Sequence, residues 1–301
     1  MKASVTKGGA SRGAPAYDRV RTTRFLLPGQ TDHCLLANAK SIGNVMRNSA
    51  KISYTNGDGA EVNAELYSDE GYALMSKLWI KVTAQQRRQY EISWLGVPTI
   101  QFPEDVVLLQ ELIWRLRPDV IVECGIAHGG SLLLYATICE VIGHGKIVGV
   151  DVEIRKYNRV AIQAHPLADR IKLIEGSSID PDTVAQVEAH CRGAGRVLVL
   201  LDSNHSRDHV AQELEAYSRL VTPGSYLVAM DGAQALVHDI PAGKPEWKND
   251  NPLAAIHDFV GRREDFEIDQ HFNRLGATSN IDGFLYRKPI QALVGELLPA
   301  S

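Results

Sequence analysis

Residues 120–131 read Val-Ile-Val-Glu-Cys-Gly-Ile-Ala-His-Gly-Gly-Ser. A β-branched apolar run leads into a glycine-rich turn, and an apolar helical segment follows over residues 131–142. From Asp119 onward, short apolar runs and helical patterns alternate along the chain. Such alternation is typical of a mostly parallel sheet with helices on both faces, so we expect an α/β fold.

The alternation also predicts the order of the elements. Strands are expected at residues 120–124, 146–151, 171–175, 197–201, 226–230, 266–272 and 283–287, the last two antiparallel to one another. Helices are expected at residues 104–116, 131–142, 156–164, 180–191, 208–220 and 252–262. The strand at 197–201 is the most apolar of these, which favours a place at the centre of the sheet.

The first hundred residues are less regular. Residues 56–59 read Asn-Gly-Asp-Gly, a turn signal, residues 69–90 have a helical apolar stripe, and residues 94–103 are extended. We therefore expect a flexible tail (1–22), an N-terminal helical or lid segment (23–100), one α/β domain (101–290) and a C-terminal tail (291–301).

The composition excludes several classes of protein. Of the 301 residues, 45% are hydrophobic and 23% are charged, and the formal net charge is −4, as in an ordinary globular domain. The lack of a basic bias argues against a nucleic-acid partner. The lack of an apolar run of about 18 residues argues against a membrane span.

The cysteines and the N-terminus predict a cellular compartment. Cys34, Cys124, Cys139 and Cys191 show no paired spacing, so we expect reduced thiols. The first residues contain no apolar signal segment, and a disordered tail is favoured over an organelle transit peptide. Both observations favour a cytoplasmic location.

Four acidic residues fall at the ends of predicted parallel strands: Glu123, Asp151, Asp202 and Asp231. Ligands of open α/β sheets bind beyond the carboxyl ends of the strands, so these side chains should share one edge. Carboxylates gathered in a cleft are costly unless a cation or hydroxyl donors meet them. The pattern therefore predicts a positively charged ligand or a metal there.

The glycine-rich loop after the first strand lacks the GxGxxG spacing of dinucleotide sites, which disfavours pyrophosphate. Its glycines let a ligand approach the backbone, and the following helix N-terminus offers free N–H groups. Asp151 can accept both ribose hydroxyls of a nucleoside cofactor. The alternative is that the glycines only permit close packing of strand and helix.

The segment Asp202-Ser203-Asn204-His205 follows the most apolar strand. Asp202 offers a hard oxygen suited to Mg²⁺, Asp231 can face the same ion, and His205 can act as general base. The alternative is that Asp202 and Ser203 cap the next helix and His205 is solvated. We expect His209 to face solvent, and Trp79, Trp94 and Trp114 to lie in the core.

Several segments together resemble the cephalosporin hydroxylase-like family. They are residues 94–98, 101–105, 123–131, 201–205 and 223–228, and the likeness covers about residues 90–288. This family has a class I S-adenosylmethionine methyltransferase fold and is similar to rhamnosyl and macrolide-sugar O-methyltransferases. The resemblance implies a Rossmann-like, mostly parallel sheet with an antiparallel C-terminal strand.

The resemblance also implies roles for individual residues. Asp151 would hold the ribose, Asp202 and Asp231 would bind Mg²⁺, and His205 would be the base. Glu123, Gly125 and Ser131 would line the methionine part of the cofactor, and Ser177 and Ser178 would lie near the adenine. The full set of cofactor contacts would be Glu123, Gly125, Ala127, His128, Gly129, Ser131, Ser177, Ser178 and Asp202, together with Asp151.

One position departs from the pattern of the metal-dependent relatives. They end the fifth strand with an adjacent acidic pair, whereas this chain has Met230-Asp231. The metal site would then be weaker, completed by Asn204 or water, or absent.

The resulting hypothesis is an S-adenosylmethionine-dependent, Mg²⁺-dependent O-methyltransferase acting on a hydroxyl of a sugar or small natural product, in a homo-oligomer. Residues 239–251 would form a mobile lid over the acceptor. The alternatives are an N-methyltransferase, a nicotinamide-dependent oxidoreductase, and a catalytically silent binding or scaffold protein.

Overall fold

A computed structural model describes residues 50–57 and 59–289. The predicted tails, 1–22 and 291–301, lie outside these residues, as does Cys34. The described part of the N-terminal segment contains strands that the sequence pattern did not predict. Its elements are β1 (Lys51–Thr55), β2 (Glu61–Glu65), α1 (Asp69–Gln85), β3 (Ile92–Trp94) and β4 (Val97–Thr99).

The turn signal at residues 56–59 joins β1 and β2, which pair antiparallel, and β3 and β4 form a second antiparallel pair. Ser68 caps α1 by accepting a hydrogen bond from the Gly71 N–H over 3.1 Å. The helix ends at Gln85, and a short 3-10 turn at Arg88–Tyr90 follows. The predicted helical stretch 69–90 is therefore interrupted at Arg87, which has a left-handed backbone with φ of 54°.

The central sheet has the predicted strands. They are β5 (Val120–Cys124), β6 (Lys146–Asp151), β7 (Ile171–Glu175), β8 (Val197–Leu201), β9 (Tyr226–Ala229), β10 (Phe266–Ile268) and β11 (Phe284–Arg287). They lie in the order β10-β11-β9-β8-β5-β6-β7, so the apolar strand β8 is central, as predicted. The five neighbouring strands β9, β8, β5, β6 and β7 pair in parallel. Strand β11 is antiparallel to both of its neighbours, β10 and β9. The expected α/β fold, with a mostly parallel sheet and an antiparallel C-terminal strand, is confirmed.

Helices cover both faces of this sheet. They are α2 (Pro103–Leu116), α3 (Gly130–Ile142), α4 (Lys156–Gln163), α5 (Pro181–Cys191), α6 (Arg207–Ser218) and α7 (Pro252–Val260). The first three pack on one face, where Leu112 and Leu132 join Ile121 in a core. The last three pack on the other face, where Leu214 and Phe259 join Val199 in a second core. Because both faces are covered, every residue of β5 and β8 is buried, which explains why β8 is apolar throughout and β5 is apolar except at Glu123.

Some local predictions differ from the structure. The strand predicted at 266–272 ends at Ile268 because Asp269 accepts a hydrogen bond from the His271 N–H and begins a 3-10 turn. Trp79 and Trp114, predicted for the core, are 54% and 41% exposed. Trp94 does pack against the core and donates from Nε1 to the Thr137 hydroxyl. Cys124, Cys139 and Cys191 are buried free thiols, as predicted.

None of the helices in the described ranges combines the length and apolar character that crossing a bilayer requires.

Candidate active site

The predicted site residues lie at one edge of the sheet. Asp151 ends β6, and Asp202 and Asp231 follow β8 and β9. Since β6, β5, β8 and β9 are neighbours in the sheet, their carboxyl ends open on a shared crevice. The connection from β7 to β8 carries the chain from one side of β5 to the other, and ligands of such sheets bind beside the strand at which the order reverses.

The glycine-rich loop after β5 is held in a conformation that suits glycine. Gly125 has φ of 89°, and a Cβ added there would lie 2.0 Å from the backbone oxygen of Asp202. Ala127 also has a positive φ, 45°, and its carbonyl accepts a hydrogen bond from Asn158 Nδ2 over 2.8 Å. Gly125 thus has a role besides the packing of strand on helix, because it lets the loop after β5 lie directly against the backbone of Asp202 after β8.

Asp151 is tied to this loop. Its Oδ2 accepts hydrogen bonds from the backbone N–H groups of Ile126 at 3.0 Å and Ala127 at 3.2 Å. Its Oδ1 accepts one from the Glu153 N–H at 3.1 Å. These bonds fix the orientation of the carboxylate at the end of β6, while each oxygen retains acceptor capacity for a hydroxyl.

Glu123 lies one layer below the crevice. It is 0% exposed, and its two oxygens accept hydrogen bonds from Ser131 at 2.7 Å and Tyr135 at 2.9 Å. Gln101 donates in turn from Nε2 to the Tyr135 hydroxyl over 3.4 Å. Burial raises the pKa of Glu123 to about 7 despite these donors. The sequence places Glu123 on the methionine part of a cofactor, whereas in the structure it supports Ser131, which does line the crevice.

Asp202, His205 and Asp231 form a compact cluster. Each offers a ligand atom, and these atoms all lie within 4.8 Å of one another. His205 Nε2 lies 3.4 Å from Asp231 Oδ2. Burial and then the nearby charge of Asp231 raise the pKa of Asp202 well above its usual value. A cation bound between the two carboxylates would remove much of this cost, so the donor set fits Mg²⁺.

Met230 stands where the metal-dependent relatives have an acidic residue, and Asn204 was suggested to complete the site. Met230 is 2% exposed and packs in the core. Asn204 is exposed, and its Oδ1 accepts a hydrogen bond from the Ser206 N–H over 2.9 Å. The structure therefore gives no support to Asn204 as a ligand. Within the described residues, the cluster provides two carboxylates and one imidazole.

Three cavities meet around these residues. One of about 340 Å³ lies over the ends of β6 and β7 and is lined by Gly125, Val150, Asp151, Val152, Ser177, Ser178, Ser203, Asn204 and His209. We call it the nucleoside cavity. A second, of about 190 Å³, is the central cavity, and its lining includes Gly125, Ala127, His128, Ser131, Asp202, His205 and Asp231. Gly125 and Ser203 line both, so the two cavities adjoin.

The third cavity, of about 690 Å³, shares His205, Asp231 and Gln101 with the central one. We call it the acceptor cavity. Much of its lining is apolar and includes Ile80, Phe102, Val237, Ile240 and Trp247. The three cavities are thus arranged in a row, with the Asp202–His205–Asp231 cluster between the central and the acceptor cavity.

Residues 239–251, predicted to be a lid, line the acceptor cavity through Ile240, Ala242 and Trp247. The segment is fastened to α1 at two places. Asp239 accepts hydrogen bonds from the buried Lys81 ammonium, and the Ala242 N–H donates to Gln85 Oε1 over 2.9 Å. The ammonium lowers the pKa of Asp239, although partial burial opposes this.

His209, predicted to face solvent, lies instead against the nucleoside cavity. Its Nε2 is within 3.2 Å of the hydroxyls of Ser178 and Ser203, and it contacts Glu213 one helical turn later. The (i, i+4) spacing of His209 and Glu213 was the signal in the sequence, because it places both side chains on one face of α6. Tyr135 and Gln101 gave no such signal, since their roles depend on contacts between distant elements.

Comparison with known proteins identifies the family. The sequence model of the family described as Rhamnosyl O-methyltransferase/CmcI matches residues 86–288. A rhamnosyl O-methyltransferase of Mycobacterium bovis (strain BCG / Pasteur 1173P2) is 28% identical over 199 residues, covering 65% of this chain and 78% of that protein. One of Mycobacterium leprae (strain TN) is 28% identical over 205 residues, covering 65% and 83%.

A solved structure described as the CmcI-N160 apo-structure has 20% sequence identity and a TM-score of 0.49, and the match covers 66% of this chain and 77% of that one. The family match spans the whole central sheet and the Asp202–His205–Asp231 cluster. The resemblance inferred from the sequence is confirmed, and the chain belongs to the rhamnosyl O-methyltransferase/CmcI family of methyltransferases.

Proposed function

We propose that the chain transfers a methyl group from S-adenosylmethionine to a hydroxyl of a sugar or a sugar-bearing small natural product. The observation that carries this proposal is the row of three cavities with His205 and Asp231 at the boundary of two of them. A methyl donor in the first two cavities and an acceptor in the third would meet at these side chains. Relatives named rhamnosyl O-methyltransferase support the sugar.

The cofactor is assigned to the nucleoside and central cavities. Asp151, held by the loop amides, would accept the ribose hydroxyls, and Ser177 and Ser178 would lie beside the adenine. The methionine part would occupy the central cavity. Gly125, Ala127, His128 and Ser131 line that cavity, and Gly129 forms the turn before α3.

The cluster of Asp202, His205 and Asp231 fits a divalent cation. Asp202 and Asp231 would hold Mg²⁺, which in such a site acts as a Lewis acid and as a template for the acceptor. Asp202 is half-buried beside Asp231, so its own tendency to take up a proton would compete with the cation. We therefore expect metal binding to strengthen as the pH rises.

His205 is assigned as the general base. Bound S-adenosylmethionine would supply a methyl group on a positively charged sulfur. Its transfer to the acceptor oxygen would leave S-adenosylhomocysteine, in which the electron pair of the broken carbon–sulfur bond stays on an uncharged sulfur. The hydroxyl proton passes to the imidazole of His205. Asp231, 3.4 Å from Nε2, stabilises the imidazolium that results.

The acceptor cavity has features that suit a glycoside. Its lining combines polar side chains, such as Gln101 and Gln234, with apolar ones that include the aromatic rings of Phe102 and Trp247. Such a cavity can place a hydroxyl at His205 while packing the C–H faces of a ring, or an apolar substituent, against the wall. Among the described residues, Arg87 is the one Arg or Lys side chain that lines the cavity. This small positive charge disfavours a phosphorylated sugar as the acceptor.

A methyl-transfer screen tests the proposal. The wild-type chain, S-adenosylmethionine with a labelled methyl group and Mg²⁺ are incubated with glycosides, natural products with free hydroxyls, and amines. We expect label on a glycoside hydroxyl and its loss on addition of a chelator. Label on amines alone would favour N-methylation, and no transfer to any acceptor would favour a silent binding protein.

The predicted homo-oligomer, the cytoplasmic location and the domain boundaries stay predictions.

A further inference from the structure

A chain of hydrogen bonds runs below the nucleoside cavity, from α6 to the loop after β7. His209 Nε2 lies 3.1 Å from Ser178 Oγ and 3.2 Å from Ser203 Oγ. The Ser203 hydroxyl donates to Glu213 Oε1 over 2.6 Å. Ser178 is 6% exposed and Glu213 is 0% exposed. Bulk water therefore has little access to these groups, and their hydrogen bonds must be met within the chain or by a ligand.

The direction of each bond follows from the number of hydrogens available. A serine hydroxyl carries one hydrogen, and Ser203 gives it to Glu213. Ser203 can then only accept a hydrogen bond from His209, so Nε2 must carry the imidazole hydrogen. Nε2 also lies 3.5 Å from Glu213 Oε1, where a bare lone pair would be repelled by the carboxylate. The buried carboxylate thus sets the tautomer of His209.

Ser178 stands at the other end of this chain. Its Oγ accepts from the same Nε2–H, so its own hydrogen is not used by His209. Ser178 lines the nucleoside cavity. A hydroxyl whose hydrogen is free in this way can donate to a ligand in that cavity, and it is suited to a ring nitrogen with a free lone pair. The ring nitrogens N1, N3 and N7 of adenine are such acceptors.

We propose that Ser178 donates a hydrogen bond to a ring nitrogen of the bound adenine, and that His209 and Glu213 are positioning residues that fix Ser178 as a donor. This inference rests on the proposed function, because it takes the ligand to be an adenosyl cofactor. Through Ser178, His209 and Glu213 would then favour adenine over a base that carries a hydrogen on the corresponding ring nitrogen. Ser93 is an exposed serine of β3 that lines none of the three cavities, so it provides the control.

Calorimetric titration with S-adenosylhomocysteine tests the donor. Ser178→Ala should weaken binding about tenfold, whereas Ser93→Ala should leave it unchanged, since a hydrogen bond to the ligand is lost in the first variant alone. Three analogues in which N1, N3 or N7 is replaced by C–H identify the partner. One of them should bind the wild type about tenfold more weakly and lose no further affinity in Ser178→Ala. Equal effects of the two serine variants, or additive effects of analogue and variant, would overturn the proposal.

The positioning role has its own readout. His209→Ala should weaken binding as much as Ser178→Ala, and the double variant should be no weaker than either. His209→Gln keeps an N–H near the position of Nε2 and should restore affinity to within about threefold. Additive losses, or no rescue by glutamine in a variant that melts like the wild type, would assign His209 a merely structural role. A wild-type chain that binds no S-adenosylhomocysteine would overturn the proposed function itself, and this inference with it.

Discussion

His205 is the residue on which the chemistry depends most. Its imidazole lines both the central and the acceptor cavity and lies 3.4 Å from Asp231. We expect His205→Ala to lower kcat by about 100-fold to 10,000-fold, because a positioned base is lost, while the affinity for S-adenosylhomocysteine stays within a few-fold. Steady-state kinetics and calorimetry of the same preparation measure the two effects.

His190→Ala is the matched control for this variant, because His190 is exposed on α5 and lines none of the three cavities. Its kcat should equal that of the wild type. Unchanged kcat in His205→Ala would remove His205 from the role of base, and a parallel loss of cofactor affinity would indicate a binding role instead.

The loop after β5 provides a test at the scale of an element. Gly125 and Gly143 have nearly the same φ, 89° and 90°, but an added Cβ would meet the Asp202 backbone only at Gly125 and nothing within 4 Å at Gly143. Gly143→Ala should therefore lower the unfolding free energy by only about 1 kcal/mol, the cost of placing an alanine in the left-handed conformation. Gly125→Ala should cost about 3 kcal/mol or more, because β5 and β8 must separate at the site.

Urea unfolding compares the two alanine variants directly. Equal losses of stability would show that the close approach of the loop to Asp202 is not maintained in solution. A large loss confined to Gly125→Ala, with weaker cofactor binding in any folded fraction, is the expected result.

The lid segment 239–251 is held to α1 by the pair of Lys81 and Asp239. The Lys81 side chain is 8% exposed, so Asp239→Ala leaves a buried ammonium without its partner. We expect a loss of about 2 kcal/mol in unfolding free energy and a higher KM for the acceptor, with the affinity for the cofactor unchanged. Glu246→Ala, at an exposed position of the same segment, should alter neither quantity. A higher KM in both variants would contradict a specific fastening at Asp239.

The elements of the domain were more predictable from sequence than the site. Strands β5 and β8 are buried on both faces, so β8 is apolar throughout and β5 is interrupted only by Glu123, and the sequence pattern places both strands correctly. Positions that depend on tertiary contacts gave weaker signals. Trp79 and Trp114 are apolar yet exposed, and His209 is polar yet half-buried, because which face of a helix is covered depends on distant parts of the chain.

The same distinction applies to the site residues. Asp151, Asp202 and Asp231 were predictable because the carboxyl ends of neighbouring parallel strands must share an edge. The burial of Glu123 was not, since the hydroxyls that reach it come from α3 across the turn. The separation into three cavities depends on α1, the β3–β4 pair and residues 239–251, and none of these follows the regular α/β pattern.

At the scale of the whole molecule, buried carboxylates make stability depend on pH. Burial raises the pKa of Glu123 to about 7 and of Asp105 to about 6, and it also raises that of Asp202. The folded chain therefore holds these protons more tightly than the unfolded chain, and this contribution is complete below about pH 4 and is lost as the pH rises toward 7. For Glu123 alone it amounts to about 3 kcal/mol.

We expect the unfolding free energy of the metal-free chain to fall between pH 5 and pH 7.5, and Mg²⁺ to restore part of it at the higher pH by neutralising the Asp202–Asp231 pair. Asp202→Asn should show a flatter profile and no response to Mg²⁺. Urea unfolding at the two pH values, with Mg²⁺ or a chelator, measures this. A stability that rises over the same interval in the chelator would contradict the buried-carboxylate assignment.

The central claim is that the crevice at the carboxyl edge of the sheet holds S-adenosylmethionine. Calorimetric titration of the wild-type chain with that compound tests it most directly, with Asp151→Ala as the companion variant. We predict saturable binding of one molecule per chain, weakened at least about tenfold in Asp151→Ala because the ribose loses a charged acceptor. No saturable binding by the folded wild-type chain, or equal binding by Asp151→Ala, would contradict the account.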